Sequence, residues 1–429
     1  MLSFLLVRGQ ANYFYPNKGN FDTSIPTPEQ FLGYAIGEQH TRHDRIVAYL
    51  KELDRLSDKV SFEIIGETFE RRAQVVAIFS SPENHKNIEQ IRLQHLSNQT
   101  NGTNNKVPLV IHLAYNVHGN EPSSSEAALL TAYYLTASES DETKEWLNKM
   151  VVTMDPNINP DGRDRHTSWA NMHKGKSPVA DPQSREHIEP WPNGRPNHYW
   201  FDLNRDWLPL QHNESKGRLE QFHAWKPNIL TDHHEQGTNA TFFFQPGVPS
   251  RVNPNTPKKN QQLTGAIGNY HAKYLDSIGS LYFTKEGYDD FYYGKGSTFP
   301  DIHGSIGILF EQASSRGHLQ DSINGPLSFS ATIQNQLTAS LSTIRGAVSK
   351  RTELLSYQQD FYKSAQQQAR NSKTKGYMLT EAADKTRFAA LLDVLQRHHV
   401  EVYQLNRDWQ DGDTSYAAGT SYYVPLQQP

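Results

Sequence analysis

The run Val107–Ala114 (VPLVIHLA) is almost unbroken β-forming sequence, interrupted only by Pro108 at its start and by His112, and it reads as a central strand. It ends in His118-Gly-Asn-Glu121-Pro, after which Ser123–Leu135 combines a helix-start signal with apolar periodicity. Val151–Met154 repeats the pattern and ends in Asn157-Ile-Asn-Pro-Asp-Gly162. Asn228–Thr231, Thr241–Phe244 and Ser305–Phe310 are further strand candidates. Strands alternating with helices predict an α/β/α sandwich on a mixed, largely parallel sheet. Binding sites in such sheets lie beyond the carboxyl ends of strands.

The flanks are plainer. Glu29–Leu56 reads as helix, with Ile46, Leu50 and Leu53 at helical spacing. Val60–Ile65 and Gln74–Ser80 read as two strands joined through a turn at Gly66. Leu96–Lys106 (LSNQTNGTNNK) reads as a polar surface loop, and Arg163–His198 as a long excursion without regular pattern. Loops of that length inside a compact domain are usually functional. Ser328 to about Lys373 reads as long helix, and Gly376–Trp409 restarts as strand, helix, strand. That last unit, from Thr374 to Pro429, stops after 56 residues, small for a free-standing domain, so the chain is expected to be a truncated portion of a longer protein.

Composition narrows the class. Of 429 residues, 36% are hydrophobic and 21% charged, which is the make-up of a soluble globular chain. Forty-two basic against 46 acidic residues give a net charge of −4 without long runs of one sign, so neither nucleic acid nor an anionic membrane is an expected partner. There is no cysteine, which excludes disulfides, thiolate ligands and a cysteine nucleophile. Met1–Ala11 is a short apolar run that reads equally as a signal-peptide remnant or a buried lead, and a secreted or periplasmic location is the expectation. No stretch approaches the ~20 apolar residues of a membrane span.

Four separate segments carry chemistry: His118-Gly-Asn-Glu121, Asp202-Leu-Asn204-Arg205, Asp232-His233-His234-Glu235 and Gly307-Ile-Leu-Phe-Glu311. The first offers an imidazole and a carboxylate three apart, and the glycine between them lets the turn curl both inward. The third offers two adjacent histidines, of which a strand can aim only one at a given ion. Together they make a His₂Glu set that leaves a fourth zinc position open. Glu311, at the end of an apolar strand, has the placement of a carboxylate whose pKa is raised toward a useful range.

The set resembles the zinc carboxypeptidases of the metallopeptidase M14 family over roughly Pro26 to Ala347, including an Asn-Pro-Asp-Gly turn at Asn159–Gly162. The resemblance implies one zinc per chain on His118, Glu121 and His234, with His233 the fallback. It makes Asp202 the carboxylate behind a ligand histidine, Asn204 and Arg205 the clamp for a substrate carboxylate, and Glu311 the general base. For an oxyanion-steadying arginine it leaves Arg163, Arg165 and Arg185 open, with Arg165 favoured; for a mobile tyrosine it leaves Tyr292 and Tyr293, with Tyr293 favoured. No acid nearer than Asp301 follows Gly296-Ser-Thr-Phe299, which favours neutral or apolar terminal residues.

The implied activity is removal of the last residue from a peptide with a free carboxylate. The alternatives are an amidase or deacylase of the same fold, acting on cell-wall peptides or N-acyl amino acids, and an inactive peptide- or glycan-binding relative. The implied division is a lead over 1–25, a catalytic domain over 26–350, a helical linker over 351–373 and a partial α/β unit over 374–429. Nothing in the sequence sets the oligomeric state.

Overall fold

A computed structural model describes residues 13–15, 20–101, 106–381 and 383–428; the Met1–Ala11 segment lies outside them. Eight strands form one sheet: β1 (Val60–Glu67), β2 (Ala73–Phe79), β3 (Leu109–Tyr115), β4 (Met150–Asp155), β5 (Ile229–Gln236), β6 (Phe242–Phe244), β7 (Tyr282–Phe283) and β8 (Ile306–Ala313). Their order is β1-β2-β4-β3-β5-β8-β6-β7. The inner four, β4-β3-β5-β8, are parallel, while β1, β2 and β6 join antiparallel. The sheet is therefore mixed and largely parallel at its centre, with helices on both faces.

β3 shows why the chain needs two helical layers. Its odd positions Leu109, Ile111, Leu113 and Tyr115 enter the largest apolar core, where the helices His43–Leu56, Ser123–Ala137, Lys258–Ser277 and Phe329–Ser349 pack. Its even positions face the other way, Val110 among Val76, Ile78, Val151 and Trp225, and Ala114 among Leu203, Trp207 and Leu219. The two-residue period of a strand sorts them. His112, on the second face, hydrogen bonds Thr153 Oγ1 of β4 at 2.8 Å, which removes the conflict of an imidazole in a central strand.

Several expectations change. The single helix over Glu29–Leu56 is two, Pro28–Leu32 and His43–Leu56, because Gly33 (φ 84°) and Gly37 (φ 87°) take left-handed conformations between them. The polar loop at Leu96–Lys106 is helix as far as Asn101, and Asn98 is buried. The supposedly patternless Arg163–His198 begins inside the helix Pro160–His173, whose N-cap is Asn159; the irregular insert starts only after it. The long helix after Ser328 breaks at Lys350 into Phe329–Ser349 and Arg351–Asn371. No described helix is long and apolar enough to cross a membrane.

The last unit is a three-stranded sheet of Gly376–Thr380, Ser421–Pro425 and Tyr403–Gln404 with the helix Lys385–Arg397. It rests on the helix Asn213–Trp225, where the His399 ring stacks on buried His223 with centroids 4.3 Å apart.

Candidate metal centre and active site

The turn after β3 is fixed from three sides. Asn116, held at φ 58°, donates through Nδ2 to the carbonyls of His118 and Glu121, 2.8 Å each. Gly119 lies so close to the start of the Pro160–His173 helix that a Cβ there would stand 2.1 Å from Arg163 N, so no larger residue fits. Asn159 accepts from Gly162 N and donates to the carbonyls of Val117 and Arg195. The Asn-Pro-Asp-Gly segment thereby ties the His118 turn to the insert.

Three ligand-type residues meet here. The Nδ1 atoms of His118 and His234 are 3.1 Å apart, and each lies 2.9 Å from a different oxygen of Glu121. Bonds of roughly 2.0 Å to one tetrahedral ion would set the donors about 3.3 Å apart, so the cluster needs only a slight opening to hold zinc. All three side chains are buried. Both outward Nε2 atoms meet carboxylates: His118 with Asp202 Oδ1 at 2.8 Å, His234 with Asp232 Oδ1 at 2.9 Å. Such partners fix the tautomer and raise the basicity of the inward nitrogen. The donor set fits zinc.

Strand alternation chooses between the two histidines. His234 faces the cluster, whereas His233 points to the opposite face, stacks on Tyr115 and hydrogen bonds Gln336 of the Phe329–Ser349 helix at 2.7 Å. Glu311 is the register partner of His234 across the parallel β5–β8 pair, which puts its carboxyl on the cluster side. Burial pushes its pKa up to about 7, against the opposing pull of His234. Burial would also raise Glu121 and Asp202, but the imidazoles hold Glu121 well below the usual carboxylate range, and His118, Arg195 and Arg205 do the same for Asp202.

The remaining expected residues stand differently. Asn204 is buried and fully engaged: Nδ2 donates to Asp232 Oδ2 at 3.0 Å and lies 2.9 Å from His234 Nε2, while Oδ1 accepts from Gly296 N at 2.8 Å. Its side chain steadies the metal cluster in this conformation. Arg205 is exposed and donates to its neighbour's carbonyl. Arg165 is not brought to the cluster: its guanidinium donates to the insert carbonyls of Asn193, Pro196 and Asn197. Arg163 is fully buried against Glu126 at 2.8 Å, and Arg185 lies over the Trp169 ring. Tyr293 bonds Thr256 through its hydroxyl at 3.0 Å.

Two residues that sequence reasoning passed over lie beside the cluster and the Glu311 strand. Arg195, half-exposed, donates to Asp202 Oδ2 at 2.8 Å and reaches His118 Nδ1 at 3.2 Å and Glu121 Oε1 at 3.3 Å. It lies in the same stretch between the Asn-Pro-Asp-Gly segment and Asn204 as the arginines weighed, seven residues before Asp202, in Asn193-Gly-Arg-Pro196. Tyr288 donates to Gln236 Oε1 at 2.9 Å, and Gln236 donates to the Glu311 carbonyl at 3.0 Å. Burial raises the Tyr288 pKa, and the Glu311 and Glu121 charges raise it further. Its spacing of 23 residues before Glu311 was the available signal, but two nearer tyrosines masked it.

Residues 46–240 match the family described as zinc carboxypeptidase. No curated protein matches the sequence significantly. Among solved structures, carboxypeptidase A from Helicoverpa armigera superposes with TM-score 0.52 at 16% identity, covering 82% of this chain and 81% of that one. A metallo-carboxypeptidase from Burkholderia cenocepacia gives TM-score 0.51 at 15% identity, covering 72% and 69%. These likenesses establish the fold. The family match falls on the segment that carries His118, Glu121, Asp202 and His234, so over residues 46–240 this chain resembles the M14 zinc carboxypeptidases.

Proposed function

We propose that the protein is a metallocarboxypeptidase that removes the C-terminal residue of a peptide. The observation that carries this reading is the convergence of His118, Glu121 and His234 with Glu311 beside them in register. His118, Glu121 and His234 would hold the zinc ion, which when bound would supply a Lewis acid and lower the pKa of water. Glu311, kept largely dry and poised near neutrality, accepts the proton of the attacking water and returns it to the leaving amine. Arg195, within 3.3 Å of two ligands, presents a planar fork where negative charge develops on the carbonyl oxygen. Arg205, exposed and free to swing from its neighbour's carbonyl, supplies the cation for the substrate carboxylate.

The side-chain preference reads as neutral or apolar. Asp301, the acid that follows Gly296–Phe299 most closely in sequence, is buried, accepts from Asn260 Nδ2 and Gly307 N, and is held well above the carboxylate range by burial and by Asp290. It therefore offers no exposed charge to a basic residue. The division into a catalytic domain over 26–350 and a smaller unit over 374–429 remains part of this reading.

The test compares one peptide with a free and with an amidated C-terminus. Release of the last residue from the free form alone supports the proposal. Equal hydrolysis of both, or cleavage only of N-acyl amino acids, would replace it with the amidase reading.

A further inference from the structure

The geometry points to a second zinc site, built from His40, Glu186 and His318, which fastens the insert to the body of the domain. These three buried residues each offer a donor atom, and the donors lie within 4.8 Å of one another, as only the catalytic triad also does among the described residues. They come from three places: the loop before the His43–Leu56 helix, a single turn of 3₁₀ helix at Arg185–His187 in the insert, and the segment leading into the strand Leu319–Ser322. Two imidazoles and one carboxylate suit zinc better than a hard cation, and three protein ligands leave a position for water.

An independent observation is the state of the imidazoles. Both ring nitrogens of His40 are buried without a hydrogen-bond partner, and so is Nε2 of His318. Buried polar atoms are rarely left so, and unpartnered ones call for an explanation such as an ion. His318 Nδ1 lies 2.5 Å from Glu186 Oε1, which also accepts from His318 N at 2.7 Å, so that ring is already oriented. His40 is equally fixed: its ring stacks on Phe329 with centroids 4.1 Å apart, and Asn171 brackets its backbone N–H and C=O.

The site would act on the catalytic centre through the insert. Three residues beyond Glu186, Glu189 faces His166 at 3.0 Å and accepts from Asn120 of the His118–Glu121 turn at 2.8 Å and from Gly194 N at 3.0 Å. Arg195 follows Gly194 directly. Closing a long irregular segment with a metal limits its freedom at the points that present Arg195.

Zinc per chain, measured by elemental analysis after dialysis, tests this in wild type, His318→Ala, His234→Ala and the double variant. Glu186→Gln, which keeps shape and hydrogen-bonding capacity, covers the case in which His318→Ala does not fold. Two zinc ions in the wild type, one in each single variant and none in the double variant is the expected result. Faster proteolysis within residues 174–202 in His318→Ala or Glu186→Gln would accompany it. One zinc in the wild type, lost in His234→Ala and kept in His318→Ala, overturns the second site and leaves the catalytic reading intact. One zinc lost in His318→Ala but kept in His234→Ala upholds the second site and removes the catalytic one. No zinc in the wild type overturns both.

Discussion

The two His₂Glu clusters use the same residue types in different settings. Around His118, Glu121 and His234, the outward nitrogens rest on Asp202 and Asp232, Glu311 stands in register on the next strand, and half-exposed Arg195 closes the open side. Around His40, Glu186 and His318 the walls are the Phe329 and His166 rings. The first cluster therefore sets ligand-type side chains beside a free acid and a cation, the ingredients the proposed hydrolysis needs. The second has the ingredients of a fastening. Ligand type alone distinguishes nothing; the groups behind and beside the ligands decide the chemistry.

Exchanging one residue in each cluster gives the sharpest break. His234→Ala is expected to abolish peptidase activity, by about 10⁴-fold or more, as loss of the metal removes both the Lewis acid and the activated water. His318→Ala is expected to keep the greater part of it, and rates on one peptide compare them. Equal losses would erase the distinction between a working and a fastening cluster.

Glu311→Gln sharpens the role of the free acid. It should retain zinc, since Glu311 is not a ligand, and lose about 10²–10⁴-fold in kcat, the range of general acid–base catalysis. Normal turnover in this variant would remove Glu311 as the base. Arg195→Ala is expected to cost about 10²-fold, as for the loss of one oxyanion donor, while Arg165→Ala stays within a few-fold. The reverse order would restore Arg165 to the role that sequence favoured.

The smallest effect concerns stability and pH. Glu311 has its pKa raised to about 7 from 4.5, so the folded state holds its proton more tightly than the unfolded chain. Its contribution is favourable below pH ~4.5 and is lost as pH rises through about 7. In zinc-free protein at pH 8, Glu311→Gln should therefore be more stable than wild type by up to ~3 kcal/mol, shrinking toward zero near pH 4.5, as denaturant melts would show. In the zinc-loaded enzyme the cation can only lower that pKa, so the acid limb of kcat/KM should fall at or below pH ~7, with activity lost on acidification.

Legibility in the sequence followed periodicity. The inner strands β3, β4, β5 and β8 were readable because each is a short apolar run bounded by turns, and the candidate ligands stood out because they lie at the ends of those runs. The helix break at Gly33–Arg42 and the true start of the insert were missed. Gly33 and Gly37 were not read as a stop, and Pro160, a favourable first helical residue, was read as part of a turn.

By itself, then, the sequence determined a helix-covered, largely parallel sheet and marked His118, Glu121 and Glu311 as candidates at the ends of its strands, since strand period and motif spacing are local. The tertiary structure alone decided three further matters. It turned His234, which the resemblance favoured but strand period alone left open, inward by packing His233 against Gln336 and Tyr115. It brought Arg195 and Tyr288 to the site from loops where no period marks a position. And it assembled His40, Glu186 and His318 from segments more than a hundred residues apart. A side chain's place along a strand is set by its neighbours in sequence, but its place in a loop or a long-range cluster is set by whatever the folded chain packs against it.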